Sequence, residues 1–377
     1  MRLLILSSFS YKSISGQGVI LTNTIDYLLN NKIDFDLIYF RVDKTYEISS
    51  NDLINAIENF DLPQISYKCI LNSILGLNLN ELEKNFLDYV SIISNSYNHI
   101  LLFASAYDPL VMFFPKYLTL PITYNITDSI TLFERNRITS GFNIRILVAK
   151  LIEKKILALN YKNLVYVGFK DSKCAKKLIN DKFNRVVHIP LGVNTNVFSP
   201  PVNTNYNHAP IILFTGILSY LPNEEACIYI LDKILPQISN NYLFRIVGKN
   251  PSDRLLNVAS KNKFVQITGY VEDISEEYRK ADIYLCPMQS GAGMKNKILE
   301  ALSTGLPVIT SFIEKESFEN PPNCISFCKS DFDYVQTVEY YLMNESDRIS
   351  HGILGREYVL KSLDWNKRSR KLIALAE

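Results

Sequence analysis

Residues 282–311 read DIYLCPMQSGAGMKNKILEALSTGLPVITS. Two short apolar runs, DIYLCP and PVITS, flank a segment in which Ile298, Leu299 and Leu302 recur at helical spacing. The pattern predicts a strand, a loop, a helix over 293–304 and a second strand. A right-handed crossover then makes the two strands parallel. The loop carries Gly291 and Gly293, and the first turn carries Lys295 and Lys297. The first N–H groups of a helix lack intrahelical partners and form the positive end of its dipole, so two cations there are unfavourable unless an anion compensates. Glycines let such an anion reach the backbone. Glu300 follows Gly293 by seven residues. Two helical turns are about 7.2 residues, which predicts one shared face and a separation of about 10 Å. A nucleoside diphosphate fits that layout, with its diphosphate at the helix mouth and its ribose hydroxyls on the carboxylate. An ordinary i, i+3 pair of Lys297 with Glu300 is the competing reading.

The same alternation extends in both directions. IILFTG (211–216), YLFRIVG (242–248) and FVQITG (264–269) read as strands, with helices expected over 222–238, near 251–260 and over 274–281. Upstream, SPPVNTNYNHAP (199–210) has linker composition. Before it, RLLILS (2–7), DFDLIYF (34–40), HILLFAS (99–105), PITYNI (121–126), NLVYVG (163–168) and VVHIP (186–190) form another strand series, with helices expected over 19–30 and 142–160. Segment 45–97 reads as mostly helical, as do 331–344 and 352–375. Strand–helix repetition on both sides of a linker predicts an α/β protein with two Rossmann-like, doubly wound domains. They are expected at 1–200 and 201–355, with a terminal helix, 356–377, returning to the first. Ligands of such sheets bind outside the carboxyl ends of the strands, so two facing domains would share a cleft.

The chain has 377 residues, 47% of them hydrophobic and 21% charged, which suits packed cores. A net charge of +2 gives no global nucleic-acid signature. The basic residues also lack the interleaved aromatics of a nucleic-acid surface, so no nucleic-acid partner is expected. Locally, residues 141–190 carry a net +8. That stretch is either a solvated helix face or a surface for anionic lipid or an anionic acceptor. The six cysteines (69, 174, 227, 286, 324 and 328) form no C-x-x-C pair and have no His-rich spacing near them. Reduced, mostly buried thiols of a cytoplasmic protein are expected. MRLLILSS is too short for a secretory apolar region, and no run of eighteen apolar residues predicts a spanning helix.

Several segments resemble, in correct order, the group 1 glycosyltransferases of the family 4 type. They are HIPLGVNTNVFSP (188–200), FTGILSYLPNEEA (214–226), RIVGKNP (245–251), TGYVEDISEEYRKADIYLCP (268–287) and the 290–311 stretch. In the first domain, SGQGV (15–19) stands in the place of the family's glycine loop, and NITDSITLFERNR (125–137) matches a subgroup's stretch in part. The resemblance implies the GT-B fold and transfer of a sugar from a nucleoside-diphosphate sugar to an acceptor hydroxyl, usually with retention, with no metal and no other cofactor. It implies a donor-binding set of Gly291, Gly293, Met294, Lys295, Lys297, Glu300 and Tyr270, in which the lysines and glycine amides hold the diphosphate and Glu300 the ribose. Tyr270 and Glu272 would lie by the base. Gly16 and Gly18 would open a loop toward the acceptor or the phosphates. Asp128 would approach the transferred sugar or else cap a helix. Asp128 and Lys295 are the catalytic candidates.

The sequence departs from the family at Ala292, where the first acid of a Glu-x7-Glu pair commonly stands, and in GILSYLPN, which lacks the usual basic residues. Lys295 and Lys297 would take over that charge. The implied partners are the nucleotide-sugar donor and a sugar or lipid-linked acceptor of surface-polysaccharide assembly, with peripheral membrane contact through 141–190. Two alternatives are a catalytically silent binding subunit and a nucleotide-sugar epimerase. An epimerase would need acids and histidines around the sugar, and the chain has four His, none well placed.

Overall fold

The computed structural model describes residues 1–12, 16–40, 56–60, 62, 79–136, 144–179, 185–202, 209–289 and 293–377. They form two compact units, Met1–Pro190 with Arg368–Glu377, and Leu191–Lys367. The boundary precedes the Pro- and Asn-rich stretch because the chain joins the second unit as soon as it leaves the last strand of the first. The Val193 N–H donates to the Leu363 carbonyl at 2.8 Å, and Thr195 Oγ1 donates to Asp364 at 3.0 Å.

Among the described residues, the first unit holds seven parallel strands: β1 (Arg2–Ser7), β2 (Asp34–Phe40), β3 (Ala56–Phe60), β4 (His99–Phe103), β5 (Ile122–Thr127), β6 (Asn163–Tyr166) and β7 (Val186–His188). Their order is β3-β2-β1-β4-β5-β6-β7, so the winding reverses between β1 and β4. Leu4, Leu6, Ile100, Leu102, Tyr124 and Leu164 are fully buried, as expected of parallel strands covered on both faces. Of segment 45–97, expected to be mostly helical, only residues 56–60, 62 and 79–97 are described, and the expectation for the rest lies outside the described residues. Among the described ones, Ala56–Phe60 form β3, which pairs with β2, and Glu81–Ser94 form a helix. Asn80 starts that helix by accepting the Glu83 N–H, while the Glu83 carboxylate accepts the Asn80 N–H.

The second unit holds six parallel strands among its described residues: β8 (Ile211–Thr215), β9 (Leu243–Val247), β10 (Val265–Gly269), β11 (Ile283–Cys286), β12 (Val308–Ser311) and β13 (Ile325–Cys328). Their order is β10-β9-β8-β11-β12-β13, with the reversal between β8 and β11. The helix expected over 222–238 is α-helical only over Leu221–Tyr229. It widens to a π turn over Ile230–Ile234 and tightens to a 3₁₀ turn over Leu235–Gln237, where Pro236 cannot donate to an α ladder. The last helix, Trp365–Ala374, starts in the second unit and ends in the first. There Arg368 donates to the Asn125 side chain at 3.0 Å, and Asn163 donates to the Leu375 carbonyl at 3.2 Å.

Candidate active site

In the second unit, the carboxyl ends of β8 and β11 surround Lys297 at the point where the strand order reverses, the usual ligand position in open parallel sheets. Gly216 follows β8. A Cβ there would lie 2.6 Å from the Asn223 amide nitrogen and 3.2 Å from Lys297 Nζ, so a glycine lets the backbone approach both. Asn223, in the first turn of helix Leu221–Tyr229, donates to the Ile217 carbonyl at 2.9 Å and accepts from Lys297 Nζ at 2.7 Å. The ammonium stands 4.3 Å from the Phe214 ring centroid and 3.9 Å from Met288 Sδ. No carboxylate forms an ion pair with it among the described residues. Burial lowers its pKa. Lys297 is therefore a cation held by dipoles and a ring face, with no carboxylate in ion-pair contact among the described residues.

The i, i+3 pair with Glu300 does not form. Glu300 turns instead to Tyr278, whose hydroxyl donates to Oε2 at 2.8 Å. The Tyr278 oxygen also lies 2.7 Å from Thr215 Oγ1, which lies 2.9 Å from the Tyr284 hydroxyl. Phe198 meets the Tyr278 ring edge-on at 5.5 Å. These contacts fix one carboxylate oxygen of Glu300 and, among the described residues, leave Oε1 without a protein donor. Burial raises the Glu300 pKa, against the opposing pull of the Tyr278 hydrogen bond and the Lys297 charge.

The helix starts later than expected, at Asn296, with Lys295 extended at its cap position. Gly293 lies outside the helix at φ +70°. Gly293 and Glu300 therefore do not share a two-turn helical face: the left-handed glycine and the extended lysine turn the chain before the helix begins. The Gly293 carbonyl accepts from Ser317 Oγ at 3.2 Å and from Lys295 Nζ at 3.4 Å. Met294 is buried and Lys295 is half-buried beside it. Gly291 and Ala292 lie outside the described residues. Tyr270 follows the edge strand β10 and is 74% exposed. With β9 between β10 and β8, it makes no hydrogen bond to the Lys297–Glu300 group. Sequence reasoning missed Thr215, Asn223 and Tyr278 as parts of this group. The YLPN turn was the available signal for Asn223; Tyr278, inside a short polar helix, had none.

In the first unit, Gly16 opens the helix Gly16–Asn30 and is exposed. A Cβ at Gly16 would meet nothing within 4 Å, so no steric need explains a glycine there. Gly18 is buried. Between them, the Gln17 amide donates to the Ala104 and Ile126 carbonyls at 3.4 and 3.2 Å, tying the helix start to the carboxyl ends of β4 and β5. At the end of β5, Thr127 has φ +79°, a strained conformation for a β-branched residue. It precedes the half-buried Asp128. Asp128 is not the cap of the next helix: Ser129 Oγ accepts the Leu132 N–H at 3.3 Å and donates to Glu153 at 2.9 Å. Asp128, Gly16 and Gly18 thus belong to the first unit and the Lys297–Glu300 group to the second. Among the described residues, no cluster of His, Cys, Asp or Glu has the makings of a metal site, and no helix is long and apolar enough to cross a membrane.

Residues 209–331 match the model of the family Glycosyl transferases group 1. No curated protein sequence matches the chain. Similar solved structures include sucrose-phosphate synthase from Thermosynechococcus elongatus, at 15% identity over 99% of this chain and 98% of that one, with a TM-score of 0.74. The Anabaena protein HepE in complex with UDP-glucose is 12% identical over 99% and 98%, with a TM-score of 0.67. WaaG, a glycosyltransferase involved in lipopolysaccharide biosynthesis, is 14% identical over 99% of both chains, with a TM-score of 0.66. At such identities the likeness speaks for the fold. Within the second unit, residues 209–331 thus match the group 1 glycosyl transferase model, in a chain that has the GT-B fold.

Proposed function

We propose that the chain transfers a sugar, with retention, from a nucleoside-diphosphate sugar to an acceptor hydroxyl in the assembly of a surface polysaccharide or related glycoconjugate. The observation that carries this reading is Lys297, an ammonium with no ion-pair contact among the described residues at the switch point of the sheet, beside a carboxylate with one oxygen fixed. Departure of a diphosphate calls for fixed positive charge and N–H dipoles at the leaving oxygens. Lys295, Lys297 and the backbone of 293–297 supply them, so the reading calls for no metal. Glu300 Oε1 accepts a ribose hydroxyl while Tyr278 holds Oε2. Asp128, set by the strained Thr127, acts at the transferred sugar, and the Gly16–Gly18 turn serves the acceptor. The solved complex of HepE with UDP-glucose makes uridine the first base to try.

The acceptor is a sugar or a lipid-linked saccharide at the cytoplasmic face of a membrane. Helix Ile144–Ala158 supports this. Its inner face is Ala149, Ile152, Ile156 and Leu157, whereas Ile144, Leu147 and Leu151 are exposed among Arg145, Lys150, Lys154 and Lys155. Apolar side chains inside a basic surface suit an anionic lipid interface. The test is a thermal-shift series with UDP, GDP, ADP, CMP and dTDP. One diphosphate should raise the melting point of the wild type but not that of Glu300→Ala or Lys295→Ala. If none of the five stabilises the wild type, this reading fails.

A further inference from the structure

The 3₁₀ turn Phe312–Ser317 leaves the carboxyl end of β12, the neighbour of β11 in the sheet. Its last residue anchors it, since Ser317 Oγ donates to the Gly293 carbonyl at 3.2 Å. Glu314 sits inside this turn and is 4% exposed. Among the described residues it accepts no hydrogen bond and forms no ion pair. Burial raises its pKa, and the charges of Lys295 and Lys297 oppose that rise, which places Glu314 within electrostatic reach of both lysines.

A carboxylate this enclosed and without donors is costly for the folded chain. Its neighbourhood limits what would satisfy it. Lys295 and Lys297 are the groups that would take a diphosphate, and a second anion beside that diphosphate repels phosphate oxygens. Hydroxyl groups are the donors that a carboxylate can accept there without a charge conflict. On a nucleoside-diphosphate sugar, the hydroxyls lie on the ribose and on the sugar. Glu300 already offers its free oxygen to the ribose in the reading above.

We propose that Glu314 binds hydroxyl groups of the sugar carried by the donor and so helps to select which sugar is transferred. This rests on the proposed function. Calorimetric titration of the full chain tests it, with UDP, UDP-glucose, UDP-galactose, GDP and GDP-mannose as probes. The wild type should bind one sugar nucleotide more tightly than the matching diphosphate. Glu314→Ala should lose about tenfold or more of that advantage, as for a charged hydrogen bond. Binding of the bare diphosphate should stay unchanged or tighten, because a like charge is gone. Glu314→Gln keeps the shape and one acceptor and should fall between the two. Its melting point should equal or exceed that of the wild type, since it removes a buried charge without a partner. The inference is overturned if the wild type shows no sugar advantage, if both variants keep it, or if diphosphate and sugar nucleotide weaken by the same factor. A wild type that binds none of the five probes overturns the proposed function itself.

Discussion

Lys297→Met keeps most of the length of the side chain and deletes its charge, and the structure predicts different consequences for stability and for binding. Without ligand, Lys297 is half-buried, and among the described residues its ammonium has only Asn223 Oδ1, a thioether and the Phe214 face as partners. Methionine costs Asn223 a donor, about 1 kcal/mol, and relieves the desolvation of an unpaired cation by a comparable amount. Net stability should therefore stay within about 1 kcal/mol of wild type. With ligand, a charged hydrogen bond to a phosphate oxygen is lost, about 2 kcal/mol, or about 30-fold in affinity. At a diphosphate concentration of about 100 Kd, linkage stabilises the wild type by about 2.7 kcal/mol. After a 30-fold loss the same concentration gives about 0.9 kcal/mol. The ligand-induced rise in melting point should shrink to about a third, while the ligand-free melting point barely moves. A variant that keeps the full ligand shift, or one that loses several kcal/mol without ligand, would refute a phosphate role for Lys297.

Tyr278→Phe removes the hydroxyl that joins Thr215 to Glu300 and leaves Glu300 Oε2 without its donor. A loss of about 1–3 kcal/mol is expected, read as a lower urea midpoint; an unchanged midpoint would mean that the network contributes nothing to stability. His99 is fully buried, with Nε2 paired to Thr123 Oγ1 at 2.8 Å. Burial, helped by the charge of Lys162, lowers its pKa to about 4. The unfolded chain, with an ordinary His pKa of about 6.5, then binds more protons than the folded one below that pH. The contribution of His99 is present above about pH 6.5 and is lost as pH falls toward 4. His99→Gln should show a shallower decline of urea stability across that window, and a parallel decline would count against the assignment.

Most strands could be read from the sequence because a parallel strand covered on both faces is a continuous apolar run, as in IILFT and HILLF. Ala56–Phe60 and Ile325–Cys328 are equally parallel. They lie at the sheet edges, and AIENF and ISFC mix polar and apolar residues over too few positions to show a period. In the candidate site, the cations in front of a helix were legible as a local electrostatic conflict. Their partners were not. Lys297 is held by a residue 74 positions away, and Glu300 by one 22 positions away. A spacing rule along one helix sees only the i, i+3 neighbour and pairs the wrong groups. The left-handed turn at Gly293 was hidden for a related reason, because a glycine permits that conformation without requiring it.

The division of the chain also constrains the order in which it can become whole. The second unit is one continuous stretch, Leu191–Lys367, whereas the first is completed by Arg368–Glu377. During synthesis, the strands of the first unit emerge early. The buried Leu372 and Ile373, and the arginine that reaches Asn125, follow only after every residue of the second unit has been made. Until then the surface that receives them is bare to solvent, and Asn125 lacks this donor. The half that begins first is finished last, so an interruption of translation anywhere within the second unit leaves the first one unsealed.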